Sequence, residues 1–379
     1  MSLLTPRTDF VEARTSAFQS IHNLRINGNF DFWQRGTSFT SVTNGLYTAD
    51  RWRYQKLGTA SLQNITQDTD VPTVTQSGFQ SLYSMLITQS ATTDVTVDAG
   101  DLLGIGQRME GQDYVNLHGG KGREQFWIKA SIAGVYPIAF RNSAANRSYV
   151  TTFTVAAANT WQKITIDIAL DSSGTWLFDN GIGLVMNIGL MVGSTYQTAT
   201  QGSWVAGEFY APSGVTLVNV AGTSGATIRL AQSSCIPGDF VATSGVVADL
   251  PFRRAGRTIG DELRMCWRYL YRVVNDIGFN QTLGTVIVRD STTVTLITTY
   301  PVQLRTSASV TGAPASSFIV QGGNPIGNRI PSAFALLDGG IYSSRIDFTL
   351  PSGGLYGGSS LFIFNNTIGT AFINFDAEL

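Results

Sequence analysis

From Asn23 to about Val247 the chain reads as short runs of alternating apolar and polar residues separated by Gly, Asn and Ala clusters. The clearest run is Gln162–Ile168, where Ile164, Ile166 and Ile168 alternate with Thr165 and Asp167. That is the period of a half-buried strand, whose successive side chains point to opposite faces. Gln125–Ile132, Val135–Arg141, Ser148–Val155, Gly181–Val192 and Ala226–Gln232 are further strand candidates. Gly134, Asn142–Asn146 and Ala156–Asn159 supply the turns between them. No amphipathic helix intervenes, so a parallel βαβ sheet is disfavoured and an antiparallel jelly-roll sandwich is predicted.

One segment breaks the pattern. In Thr258–Val274, Leu263, Cys266, Trp267, Leu270, Tyr271 and Val274 fall at helical spacing and form a single apolar stripe. Arg264, Arg268 and Arg272 lie four apart on its flank, and Thr258 or Asp261 caps its start. The spacing predicts an interface helix whose working residues are Leu263, Trp267, Leu270, Arg264, Arg268 and Arg272. Strand candidates resume at Thr285–Arg289, Thr292–Thr298, Phe318–Gln321, Gly340–Leu350 and Ser360–Phe375, with Gly-rich turns at Gly322–Gly323, Gly339–Gly340 and Ser352–Gly358. The expected fold class is therefore all-β: an antiparallel jelly-roll sandwich, a short helix, and a second, smaller C-terminal β-sandwich. The expected domains are an N-terminal arm over 1–23, the jelly roll over 24–247, a connector over 248–275 and a C-terminal β domain over 276–379.

Composition sharpens this picture. Charged residues make up 13% of the chain against the ~25% usual for globular domains, while a hydrophobic content of 43% suffices for a core. The net charge of −1 provides no long-range field toward nucleic acid or an anionic membrane. No apolar run approaches the ~18 residues needed for a bilayer span, and the charged N-terminus does not read as a secretory signal. Lysine occurs only at Lys56, Lys121, Lys129 and Lys163, so arginine carries nearly all the positive charge. Its forked donors suit shared hydrogen bonds at interfaces. The two cysteines, Cys235 and Cys266, do not make a disulfide framework and read as reduced thiols.

Three segments together resemble a known family. Asn27–Phe39 reads NGNFDFWQRGTSF and is followed by YTADRW at Tyr47–Trp52; Asp249–Arg272 reads DLPFRRAGRTIGDELRMCWRYLYR; the chain ends FINFDAEL. In this order they resemble tail fibre and virion appendage proteins of tailed bacteriophages, with a jelly roll similar to a carbohydrate-binding module. Gln232–Gly238 (QSSCIPG) and the Cys266–Leu270 stretch depart from the family's usual text. The resemblance implies a virion protein assembled in the host cytoplasm and exposed on the extracellular particle. It also implies a homotrimeric habit and recognition of host surface polysaccharide, and the N-terminal arm is expected to dock on other virion proteins. A purely structural connector or capsid decoration, and a glycan-degrading appendage enzyme, are the alternatives.

Candidate chemistry is sparse. Trp33, Arg35, Asp50, Arg51 and Trp52 form the densest aromatic and polar cluster. They fit a sugar platform, but shared signature residues suit a scaffold better, so they are read as structural. Trp176, Trp204 and Tyr210, in less regular Gly-rich text, are the glycan-binding candidates because loops at a sandwich end often carry recognition. Asp94, Asp98 and Asp101 cluster as Ca²⁺ ligands do, but without the EF-hand spacing, and no metal site is assigned. Two isolated histidines, His22 and His118, do not build a triad or a metal centre. Glu124, Asp167, Asp179 and Glu208 are possible acids, with nothing to single out a catalytic pair. No catalytic residue and no cofactor is expected. The arginines from Arg253 to Arg272 read as interface residues and not as a nucleic-acid grip.

Overall fold

In the computed structural model, residues 22–240, 250–275, 282–321, 328–351, 361–365 and 371–379 are described. Residues 1–21 of the expected docking arm, and the turns at Gly322–Gly323 and Ser352–Gly358, lie outside them. The chain divides into two compact units, Met1–Glu262 and Leu263–Leu379.

The first unit is an antiparallel sandwich of two six-stranded sheets. Its strands in chain order are β1 (Ser38–Phe39), β2 (Trp52–Leu57), β3 (Gln63–Asp68), β4 (Ser84–Gln89), β5 (Leu102–Glu110), β6 (Lys121–Ala130) and β7 (Gly134–Arg141). They continue with β8 (Arg147–Val155), β9 (Gln162–Ala169), β10 (Ile182–Val192), β11 (Gln197–Thr198), β12 (Trp204–Ala206), β13 (Ala211–Pro212) and β14 (Thr227–Pro237). One sheet has the order β1-β3-β4-β14-β6-β9, and the other β12-β8-β7-β10-β5-β2. The chain crosses repeatedly between the sheets, as in a jelly roll. Two single-turn helices, α1 (Val74–Ser77) and α2 (Gly111–Tyr114), sit in the connections.

The predicted alternation is realised as burial. Ile164, Ile166 and Ile168 of β9 face the core, while Thr165 is exposed between them. Tyr54, Ile105, Phe126, Ile128, Ile138, Phe140 and Met186 meet in the same apolar cluster between the sheets. Burial of such side chains contributes roughly 1.5–3 kcal/mol each against the entropy of ordering the chain.

The segment before β1 closes one side of this core through polar groups that have no water to fall back on. Arg25 and Glu124 form a forked ion pair at 2.7 and 3.1 Å, and both side chains are essentially inaccessible. Asn23 Oδ1 accepts from the amides of Arg25 and Cys235. Gly28 passes so close to β14 that a Cβ there would lie 1.9 Å from the Ser233 carbonyl oxygen. At that point β14 shifts register between Ala231 and Ser234, and Gln232 adopts φ +51°.

The second unit holds β15 (Leu270–Val274), β16 (Thr282–Val288), β17 (Thr293–Thr299), β18 (Ser309–Gly312), β19 (Phe318–Gln321), β20 (Asn328–Arg329), β21 (Ala333–Gly339), β22 (Ser343–Thr349), β23 (Leu361–Asn365) and β24 (Phe372–Asp376). A three-stranded sheet, β15-β24-β18, and a seven-stranded sheet, β20-β19-β23-β16-β17-β22-β21, share one core around Val286, Leu296, Phe318, Ile346, Phe348 and Phe375.

The predicted helix is too long. The helix α3 covers Ile259–Trp267 only, and Leu270–Val274 is a strand. Leu263, Arg264 and Trp267 lie on α3, Arg268 comes just after it, and Leu270 and Arg272 lie on β15. The six interface residues therefore do not form one helical flank. Tyr271 and Val273 pack on the core of the second unit, and β15 pairs with β24 from Leu270↔Asp376 to Val274↔Phe372. Aromatic and β-branched residues fit this pairing, and the pairing overrides a stripe that also satisfies helical spacing. Arg272 spreads over the Phe372 ring at 4.0 Å, and Arg268 donates to the Gln303 carbonyl at 3.3 Å.

Two outcomes are expected. Glu124→Gln leaves the Arg25 charge buried without its counter-ion and lowers the urea-unfolding free energy by ~3–5 kcal/mol, whereas the paired Arg25→Met/Glu124→Leu change recovers most of that loss. Cys235 and Cys266 are both buried and form no disulfide, and burial pushes the Cys235 thiol up so that it stays protonated. Iodoacetamide treatment and mass spectrometry are expected to find neither thiol modified in the native protein and both modified in guanidinium.

Candidate functional site

The signature residues work as struts. Asn27 takes φ +55°, donates from its side chain to the carbonyls of Phe32 and Asp50, and accepts from the Phe32 amide. The Trp52 indole is fully buried, donates to the Asn27 carbonyl at 3.1 Å and meets the Phe30 ring at 4.8 Å. Asp50 receives the Gln34 amide and side chain, Arg51 donates to the Arg108 carbonyl at 2.6 Å, and the Trp33 indole donates to the Phe30 carbonyl. Arg35 lies over the Tyr47 ring at 5.4 Å.

The predicted glycan contacts are placed differently from expectation. Trp176 is only 7% exposed: it stacks on Tyr114 at 4.8 Å, meets Trp204 edge-on at 5.4 Å, and donates to the Ser173 carbonyl. Trp204, on the edge strand β12, is half-buried and donates to the Ala169 carbonyl at 2.7 Å. Tyr210 is 1% exposed and belongs to a separate apolar cluster. Trp176 and Tyr210 have no ring face free for a sugar, so they are packing residues. Loop-like sequence hid this, because burial of a loop residue depends on the sheet beneath it.

The structure offers another site, on the outer face of the second sheet. Residues facing outward form rows across the strands. One row holds Arg141 of β7, Val185 of β10 and Arg108 of β5; the next holds Ala139, Asn187, Gly106 and Arg53. In the row after that, Gly189 pairs with Gly104 and Gly104 with Gln55. Small residues alternate here with longer polar side chains, which lie over them. A Cβ at Gly104 would lie 2.2 Å from Asn187 Oδ1, so glycine there makes room for the amide. Arg53, Gln55, Arg108, Arg141, Val185 and Asn187 line one depression. Tyr196, Phe209, Tyr210 and Leu217 pack over the neighbouring part of this face, on Leu102, Ala139, Val150 and Val192.

A hydrogen-bonded chain runs along this face. Asn187 donates to Gln55 Oε1 at 3.1 Å, Gln55 to the Tyr210 hydroxyl at 2.8 Å, and that hydroxyl to Glu208 at 2.8 Å. Glu208 in turn faces Arg141 at 3.6 Å. Burial pushes the Tyr210 hydroxyl up to about 12, so it remains a donor at neutral pH. Burial, then the nearby charge of Arg108, pulls Arg53 down from the usual arginine value. Asn187 is 3% exposed, and among the described residues its Oδ1 accepts no hydrogen bond. Asn187, Gln55 and Tyr210 are buried in this chain, while Arg53, Arg108, Arg141 and Glu208 keep partial access to solvent. The sequence did carry a signal for this face: Asn187 is the one polar residue in the apolar run Ile182–Val192.

Three of the four acids considered for catalysis lie elsewhere, and Glu208 is bound by Tyr210 and Arg141. Glu124 is held by Arg25, Asp167 by Arg123 at 2.6 and 2.8 Å, and Asp179 accepts the Gly181 amide. The Asp101 carboxylate accepts the amides of Thr59, Ala60 and Asp98, closing a loop. No group of three or more metal-ligating side chains occurs among the described residues.

No protein-family model matches the chain, and no curated protein matches it. Among solved structures it is similar to the enzymatically active domain of tailspike protein 4 from bacteriophage CBA120, at 12% identity and TM-score 0.28 over 52% of this chain. The match spans only 21% of that tailspike domain. A family 61 carbohydrate-binding module in complex with β-1,4-galactotriose is 12% identical at TM-score 0.28, covering 57% of this chain and 99% of the module. A family 11 carbohydrate-binding module from Clostridium thermocellum, in complex with a β-1,3-1,4-mixed-linked tetrasaccharide, is 11% identical at TM-score 0.27, covering 53% and 96%. At these TM-scores the likenesses carry no argument, and the fold rests on the strand pairings themselves.

Adding bulk beneath this face tests its architecture. Gly104→Ala is expected to displace the Asn187 amide and cost ~1–3 kcal/mol of stability by overpacking, read as a lowered midpoint in thermal unfolding.

Proposed function

We propose that the protein is a non-catalytic appendage of a tailed-phage virion that binds host surface polysaccharide. The single observation that carries the binding is the polar outer sheet face, where Arg53, Arg108 and Arg141 keep partial access to solvent over the buried hydrogen-bonded chain of Asn187, Gln55 and Tyr210. The virion role is supported by the ordered motifs at Asn27–Phe39, Tyr47–Trp52 and Asp249–Arg272. The arginine-bound states of Glu124 and Asp167 support a non-catalytic reading, since a glycosidase needs two carboxyl groups converging on one sugar. In this reading a homotrimer presents three copies of this face, the N-terminal arm docks on tail or capsid, and linked weak contacts add as avidity.

Purified protein tested on an array of bacterial surface polysaccharides, and in competition with particles for host cells, decides the matter. Binding and blocked adsorption are expected, with no release of short oligosaccharides. Arg53→Ala is expected to weaken binding about tenfold, the value of one hydrogen bond of ~1.4 kcal/mol. Protein that neither binds a glycan nor competes is a connector, and released oligosaccharides make it an enzyme.

A further inference from the structure

A pocket of about 250 Å³ opens in the first unit where β10 ends. Met191 and Val192, the buried last residues of β10, line it. Val97 reaches it from the loop before β5, and Val215, Leu217 and Val218 from the segment ahead of β14. Of the described residues lining it, six are apolar, three (Ser194, Gln197 and Asn219) are polar, and none is charged or aromatic.

Hydrogen bonds pin its walls to one another. The Asn219 side chain donates to the Asp94 carbonyl at 2.8 Å and accepts the Gly222 amide. The amides of Gly193 and Thr195 donate to the carbonyls of Asp101 and Ala99, and the Val218 amide to the Val135 carbonyl. A Cβ at Gly193 would lie 2.2 Å from the Asp98 carbonyl oxygen, so glycine there lets the two segments close up. The pocket is thus built before a ligand arrives, and little ordering is lost on binding.

Its polar groups are partly uncommitted. Ser194 is exposed, and its hydroxyl bonds to no described residue. Gln197 donates from its side chain to the Val192 carbonyl at 2.9 Å, which leaves its side-chain oxygen as an acceptor. The charge beside the pocket disfavours an anion: burial, then Asp101 and Asp98, pushes the Asp94 carboxyl up against the opposing pull of Lys56. With no lining ring to stack on, a bare pyranose gains little by entering. A methyl group does gain, since Val97 is 40% exposed and its apolar neighbours stand around the same space.

We infer that the pocket takes the acetamido group of an N-acetylated sugar. The methyl enters among the apolar side chains, the Ser194 hydroxyl donates to the acetamido carbonyl, and the acetamido N–H donates to the Gln197 side-chain oxygen. This rests on the glycan-binding reading above and adds a specificity subsite to it. Val192 is five residues beyond Asn187 on β10, so the subsite lies roughly 16 Å along the strand from the arginine face. Substitutions at the two places are therefore separable.

The test uses the full chain and oligosaccharides in matched pairs of equal linkage and length: N-acetylglucosamine against glucose, N-acetylgalactosamine against galactose, and N-acetylmannosamine against mannose. In at least one pair the N-acetylated member is expected to bind at least about tenfold more tightly, with a preference that salt leaves unchanged. Ser194→Ala, with its fold checked by circular dichroism, is expected to shrink that preference severalfold, whereas Arg53→Ala weakens both members alike. Equal binding within every pair, or a preference that Ser194→Ala leaves intact, overturns the acetamido assignment and leaves glycan binding standing. Absence of binding in every pair also overturns the assignment, and glycan binding falls with it only if the polysaccharide array is blank as well. Exchanging acetamido for hydroxyl changes only the ligand, so the first comparison does not depend on how a variant folds.

Discussion

The first unit depends on a charge pair from which water is excluded. Arg25 arrives from the segment ahead of β1 and Glu124 from the middle of β6, and neither side chain reaches solvent. A buried pair of this kind is weak as a source of net stability but severe as a constraint, because either partner alone is strongly unfavourable. It fixes where the entry segment lies. Asn23, Asn27 and Gly28 are then held against β14 and β2 by hydrogen bonds and by a contact too close for any side chain. The dense motif at Asn27–Phe39 is the sequence trace of that junction. Both tryptophans of the signature, Trp33 and Trp52, donate to backbone carbonyls inside the protein, as does Arg51.

Because the signature residues are absorbed by the scaffold, the proposed recognition is assigned to another surface, the outer face of the second sheet. The outward face of β7, β10, β5 and β2 sets glycine or alanine beneath long polar side chains. Part of the same face is roofed by Phe209, Tyr210 and Leu217. That roof makes Tyr210 a packing residue whose hydroxyl still works, passing a hydrogen bond from Gln55 to Glu208. The result is a preorganised polar row in a partly desolvated setting, where hydrogen bonds count for more than on an open surface.

The second unit shows a different balance. Its C-terminal motif, FINFDAEL, supplies β24, the central strand of the three-stranded sheet. Arg305 clasps the carbonyls of Ala377 and Glu378 at 2.7 Å each, and the Ala377 amide donates to the Tyr269 carbonyl. The stretch after α3 becomes a strand because this C-terminal segment is there to pair with it.

Local periodicity is as far as the sequence by itself determined this protein. Ile164, Ile166 and Ile168 had to share a face, and Phe318–Gln321 had to be extended, so the all-β class and most strand positions were legible. Only the tertiary structure decided which strands became neighbours, and the candidate site exists because of that choice. Arg53, Arg108, Arg141 and Asn187 come from four strands far apart in the chain, and no spacing in the sequence marks them as one group. Likewise, helix and strand both suit the apolar positions of Leu270, Tyr271 and Val274, and the distant partner β24 settled the choice. Trp176 and Tyr210 carry the residue types of a sugar platform, yet the rings packed around them buried their faces. Period is a property of neighbours along the chain; pairing and burial are properties of neighbours in space.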